Sequence, residues 1–133
     1  MILGVGIDIV ENRRIARSFE RFGLRFAEKI LSRDELKNRK KDNTIFLASR
    51  FAVKEAAVKA LGTGFSQGIS CRQIETKTTP SGKPELFFYG RAKDVFTAMG
   101  ADVAHVSISH GRDSSIAIVI LEKTNFNRQK TQD

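Results

Sequence analysis

Four charged residues, Arg50, Lys54, Glu55 and Lys59, interrupt an otherwise apolar stretch from Ile45 to Leu61 that also holds five alanines. Charge on an element this apolar needs a partner, a ligand or an exposed stripe, because burying it unpaired is costly. Glu55 and Lys59 sit four apart in the order that suits an ordinary surface ion pair. Arg50 and Lys54 also sit four apart but carry like sign, which is unfavourable unless an anion or an acid lies between them. Asp8 adds a second carboxylate, on a stretch where Gly4 and Gly6 leave its surroundings nearly bare. Two carboxylates beside several cations, with no sulfur ligand, suit a hard divalent ion such as Mg²⁺. That ion takes one or two protein carboxylates and fills its other positions with water and phosphate oxygens, which the neighbouring Lys and Arg would hold.

The elements that must bring these groups together are legible in the pattern. Met1 to Glu11 alternates as a strand, with Leu3, Val5, Ile7 and Ile9 on one face and Gly4, Gly6, Asp8 and Val10 on the other. The glycines supply no packing, so another element or a ligand is expected close to that face. Ile9 stands where a dinucleotide loop needs its third glycine, which excludes that fingerprint. A helix is predicted over Asn12–Phe22, an interruption at Gly23, and a second helical run over Leu24–Leu31. Ser32 and Glu35 have capping-box spacing and start a further helix through Arg39-Lys40-Lys41. Asp42-Asn43-Thr44 then breaks the chain and offers an N-cap to a helix Ile45–Leu61, closed by Gly62. Apolar residues nearly encircle this helix, so it is buried on more than one side and must pack on a sheet, which would bring Glu55 towards Asp8.

After a glycine-rich loop to Gly68, strands are expected over Ile69–Thr76 and Glu85–Tyr89 around a turn at Pro80–Pro84. A short helix Arg91–Met99 follows, then a hairpin of Val103–Ser109 and Ser115–Leu121 around His110-Gly111-Arg112-Asp113. The class is α+β, an antiparallel sheet packed against a long buried helix, in one domain over residues 1–123. The polar tail 124–133 is expected to fray.

Composition narrows the function. The chain has 133 residues, 41% of them apolar, and a length sufficient for a core without disulfides or structural zinc. The lone Cys71 and the absence of a Cys/His cluster fit a reducing compartment, so a cytoplasmic protein is expected. Neither a signal peptide nor an apolar run of about 20 residues is present to suggest a membrane partner. Of the net charge of +8, Glu11–Lys41 carries +6, from eleven Lys/Arg against five Asp/Glu. This is a local basic surface.

Four groups of residues carry a resemblance. Gly6-Ile7-Asp8-Ile9-Val10-Glu11, the run from Arg50 through Lys54-Glu55 and Lys59 to Gly64, Ser81-Gly82-Lys83-Pro84, and Val106-Ser107-Ile108-Ser109-His110 occur in order. Together they resemble the 4′-phosphopantetheinyl transferase family, most closely its short bacterial form, the holo-acyl-carrier-protein synthases, over residues 1 to about 122. The resemblance implies that fold and a reaction. A serine hydroxyl of apo acyl carrier protein attacks the β-phosphate of coenzyme A, taking the phosphopantetheine arm and releasing adenosine 3′,5′-bisphosphate, as fatty acid biosynthesis requires. By matching positions, Asp8 and Glu55 would hold Mg²⁺, and Glu55 and Lys59 would be the catalytic pair, with Lys59 on the pyrophosphate. Arg50 and His110 would sit by the 3′-phosphate of coenzyme A, and Gly82-Lys83-Pro84 would pass the adenine. The general base stays open between Glu55 and a metal-bound water. Arg14, Arg25 and Phe26 match positions that contact the acidic carrier, and Arg13, Arg17, Arg21 and Arg25 recur every fourth residue beside them. The short form also implies a homotrimer with the coenzyme site between subunits. Val58 replaces a small polar residue of some members, so one substrate hydrogen bond is expected to be missing.

Two other readings are weaker. Gly64-Phe65-Ser66-Gln67-Gly68 satisfies the hydrolase pattern G-x-S-x-G, with His110 and Asp113 available, but here a helix precedes the serine and a strand follows it, the reverse of a nucleophile elbow. The pI near 10.0 would suit a small RNA-binding module without catalytic activity. It lacks an RNP-type sequence, a GXXG loop and an aromatic-interleaved basic strand, so no nucleic acid partner is expected. Cys71 is expected in a strand core and His105 partly exposed on a strand.

Overall fold

The computed structural model describes residues 1–39 and 44–124. Strand β1 (Ile2–Glu11) leads into α1 (Asn12–Phe22), and α2 (Leu24–Ile30), α3 (Arg33–Asn38) and the 18-residue α4 (Thr44–Leu61) follow. A 3₁₀ turn (Cys71–Gln73) precedes the hairpin β2 (Ile74–Thr78) and β3 (Pro84–Phe88), then come α5 (Gly90–Ala98), β4 (Val103–His110) and β5 (Ser114–Glu122). The main sheet has the order β1-β5-β4, antiparallel throughout, and β2-β3 form a separate two-stranded sheet.

Why α4 lies where it does follows from the two glycines of β1. A Cβ on Gly6 would overlap the carbonyl oxygen of Ala56 and stand 2.8 Å from the Ala60 nitrogen, and one on Gly4 would overlap the Ala60 carbonyl. The element expected close to the bare face is therefore α4, whose small residues match the glycines in a close backbone approach. Ala48, Ala52, Val53, Ala56 and Ala57 are wholly buried, and α4 packs on both sheets and on α1 and α2. Val5, Ile7 and Ile9 lie exposed on the far side of the sheet. Leu3 does not join them, because the register shifts between Ile2 and Gly4 and Leu3 packs against the core.

Local chemistry sets the remaining boundaries. Ser32 and Glu35 form the capping box, and α3 ends at Asn38, short of the expected Arg39-Lys40-Lys41. Arg39 turns to extended backbone (ψ 123°) and stacks its guanidinium 5.3 Å from the Phe19 ring, while Lys40, Lys41, Asp42 and Asn43 lie outside the described residues. Gly23, at φ 62°, separates α1 from α2, so the arginine row is broken before Arg25. The strand expected from Ile69 begins only at Ile74, because Gln73 N bonds Ser70 O and closes a 3₁₀ turn. Thr124 is not frayed: its amide and hydroxyl donate to the Asp102 carboxylate at 2.9 and 2.8 Å. The rest of the tail lies outside the described residues. Among the described residues no helix is long and apolar enough to cross a membrane.

Candidate active site

Of the concave regions beside α4, two hold residues singled out by the sequence for metal and coenzyme A. The smaller, of about 320 Å³, is lined by Asp8, Ile9, Val10, Glu11, Arg14, Phe51 and Glu55. The close approach of β1 at Gly6 brings together carboxylates that are 47 positions apart in the chain. Lys59 does not pair with Glu55 along the helix. Its Nζ instead donates to Asp8 Oδ1 and to the Ile7 carbonyl, both at 3.0 Å. Burial, and then the Asp8 charge, push the Glu55 carboxyl above its usual range, while Lys59 and Arg14 pull it down. Two neighbouring acids whose negative charge is incompletely matched form a donor set that fits a hard cation. Among the described residues no group of three or more His, Cys, Asp or Glu gathers for a metal. Such an ion would take two protein oxygens and leave its other positions to water and phosphate, the habit of Mg²⁺.

The larger cavity, of about 710 Å³, lies towards the start of α4 and includes Arg50, Thr78, Lys83, Ser107 and His110 in its lining. Its rim is the β2–β3 turn, where Gly82 at φ 91° donates to Thr79 O at 2.8 Å and Lys83 N donates to Thr79 Oγ1 at 3.1 Å. A glycine permits that backbone without a Cβ clash. Arg50 donates from Nη2 to Thr78 Oγ1 at 3.2 Å and stacks 4.5 Å from the Phe46 ring. Its Nε is buried with no hydrogen-bond partner, and burial lowers its pKa. A half-desolvated guanidinium with a spare donor favours an anion. Asn12 anchors the turn after His110 by donating to the carbonyls of Gly111 and Arg112 at 2.9 and 3.1 Å.

The residues singled out by sequence thus divide. Arg50, Gly82, Lys83, Pro84 and His110 line one cavity, Asp8, Arg14 and Glu55 the other, and Lys59 adjoins Asp8. Arg25 and Phe26 lie on α2 outside both linings, Arg25 exposed and Phe26 partly buried against the core. Beside them Phe22 and Leu24 are 56% and 52% exposed, an apolar surface that the charge pattern did not single out.

The acid required near Arg50 and Lys54 is Glu35, which the sequence marks only as a capping residue. Lys54 Nζ and Glu35 Oε1 form an ion pair at 2.8 Å with both side chains 1% exposed. Cys71 is half-buried in the 3₁₀ turn rather than in a strand, and burial pushes its thiol up to about 11. His105 is exposed on β4, with Nε2 3.0 Å from Glu122 Oε1. Val58 is buried in the core, so its side chain faces neither cavity. Ser66 donates to the Thr63 carbonyl at 2.6 Å in the loop after α4 and does not share the cavity of His110.

Comparison with known proteins identifies the family. Residues 4–119 match the model of the 4′-phosphopantetheinyl transferase superfamily. The chain is 54% identical over 123 residues to the holo-acyl-carrier-protein synthase of Nitratidesulfovibrio vulgaris strain DP4, covering 92% of this chain and 99% of the relative. Its structure resembles the crystal structure of the holo-acyl-carrier-protein synthase from Neisseria meningitidis, with a TM-score of 0.84 at 40% identity, covering 92% of this chain and all of that one. It also resembles the Helicobacter pylori synthase in complex with coenzyme A, with a TM-score of 0.79 at 32% identity over 89% of this chain and 99% of that one. From its first strand to its last, the chain belongs to the holo-acyl-carrier-protein synthase family of 4′-phosphopantetheinyl transferases.

Proposed function

We propose that residues 1–123 transfer the 4′-phosphopantetheine arm of coenzyme A to a serine hydroxyl of apo acyl carrier protein, giving holo carrier and adenosine 3′,5′-bisphosphate for fatty acid biosynthesis. The observation that carries this reading is the meeting of Asp8 and Glu55 in one pocket, with Lys59 and Arg14 as the flanking cations. Asp8 and Glu55 would hold Mg²⁺, which when bound would supply neutralisation of the charge on the phosphoanhydride. Lys59, already fixed by Asp8 and the Ile7 carbonyl, holds a pyrophosphate oxygen. Glu55 or a water on the ion would take the hydroxyl proton. Arg50 with its unpaired Nε, Lys83 and His110 receive the 3′-phosphate and adenine end.

The acidic carrier docks on the exposed arginines of α1 and α2, Arg14 and Arg25 among them, with Phe26 and its exposed neighbours Phe22 and Leu24. The reading includes a homotrimer with sites between subunits. Supporting it, Val5, Ile7, Ile9 and Ile116 form an exposed apolar sheet face. A cytoplasmic location belongs to the same reading, and the free thiol of Cys71 fits it.

The test is the mass of the carrier. Incubated with coenzyme A, Mg²⁺ and this chain, apo acyl carrier protein gains the phosphopantetheine arm. EDTA stops the gain and added Mg²⁺ restores it. A carrier whose mass stays unchanged with Mg²⁺ present overturns the reading.

A further inference from the structure

Lys54 precedes Glu55 on α4 yet points into the protein. Its ammonium donates to Glu35 Oε1 and the Cys71 carbonyl, each at 2.8 Å, and to the Ile74 carbonyl. Three protons meet three acceptors, so the group is fully used. Glu35 is equally occupied: Oε1 also accepts from Ser32 N at 2.9 Å, and Oε2 from Thr76 N at 3.1 Å. The pair therefore grips β2 at two backbone points and ties it to α3 and to the middle of α4.

A buried ion pair adds little stability over apolar residues of the same shape, so stability alone is a poor reason for placing one here. What it does uniquely is set position, since each bond has a direction and a length. Ile74, Thr76 and Thr78 alternate onto one face of β2. Thr78, two residues beyond the gripped Thr76, is the residue whose Oγ1 holds the Arg50 guanidinium. The turn that follows carries Gly82, Lys83 and Pro84 into the larger cavity.

We infer that Lys54 and Glu35 are positioning residues for coenzyme A: they fix the β2–β3 hairpin at the height on α4 where Thr78 holds Arg50 and the turn completes the cavity. This rests on the reading of that cavity as the coenzyme A site.

The test is the double variant Glu35→Gln/Lys54→Met, which removes both charges together and strands neither. The folded variant raises KM for coenzyme A about tenfold, keeps kcat within about twofold and leaves KM for the carrier unchanged, the split expected when only ligand positioning is lost. A pair that merely stabilises the fold predicts a parental KM in the folded variant, and that result overturns the inference. Should the double variant not fold, Thr78→Val decides, measured in the parent and in an Arg50→Ala background. Action through Arg50 raises KM in the parent and adds nothing in the alanine background. No effect in the parent, or an equal effect in both, overturns the inference. The parent is assayed alongside: no transfer by the parent removes the functional reading itself, whereas transfer with parental KM in the variants removes only the positioning role.

Discussion

Two lysines five positions apart on α4 show what separates a charge that holds the fold from one poised for chemistry. Lys54 is enclosed, with an acid and two carbonyls taking its three protons. Lys59 is half-exposed, with a single carboxylate and one carbonyl for partners. The acids follow suit. Glu35 has three donors on its two oxygens. Glu55 shares a pocket with Asp8, and their mutual repulsion adds to burial in resisting its ionisation. One side of the helix is electrostatically closed, whereas the other keeps two acids together against their repulsion. An arrangement that costs stability and opens to a pocket is what a binding site for a cation and phosphates requires.

The largest effect should come from the open side. Asp8→Ala or Glu55→Ala is expected to lower turnover about a thousandfold, or about 4 kcal/mol of transition-state stabilisation, with the melting temperature held or slightly raised. Transfer assays beside thermal melts check this, and a near-parental rate removes that residue from the site. The closed side should answer in the opposite way. Lys54→Met leaves Glu35 buried without its counter-charge and is expected to cost about 3–5 kcal/mol in urea denaturation. Lys59→Met breaks an exposed pair and should cost no more than about 1 kcal/mol while transfer falls steeply. Equal losses of stability from the two lysine variants would erase the distinction.

The sequence discloses the open side far better than the closed one. Asp8 is conspicuous because Gly4 and Gly6 clear its strand, and the glycines meet the alanines of α4 as their spacing suggests. Arg50, Gly82, Lys83 and His110 come from distant motifs and still line one cavity, a grouping that the family pattern carried and that periodicity alone could not. Glu35 escaped notice because its role as a capping-box residue already accounted for it, and a second bond across the core leaves no local trace. The late start of β2 has the same origin. Ile69, Ser70 and Cys71 have strand-like character, but the Cys71 carbonyl is turned to Lys54 within the 3₁₀ turn, a tertiary demand that outweighs local propensity. Phe22 and Leu24 stand 56% and 52% exposed without a sequence signal to mark it, since exposure cannot be told from composition.

Cys71 offers the mildest probe of the boundary, because both sides act on it. Burial raises its thiol from 9.0 to about 11, Lys54 pulls it down, and Glu55 and Glu35 push it up. With the folded value above the unfolded one, the unfolded chain loses this proton first as pH rises from 9.0, so the thiol's contribution to stability is whole below 9.0 and lost by about 11. Each unit is worth about 1.36 kcal/mol, but partial exposure screens the effect to about 1 kcal/mol in total. Urea midpoints of the parent and Cys71→Ala should therefore differ by a constant below pH 9.0 and shift in favour of the alanine variant between 9.0 and about 11. In a Lys59→Met background the same shift is expected, since Lys59 does not figure among the charges that act on the thiol. In a Lys54→Met background it should grow, because the cation that favours the thiolate is gone. A shift that responds to Lys59 rather than to Lys54 would place the thiol on the open side of α4 and reverse the assignment of the two faces.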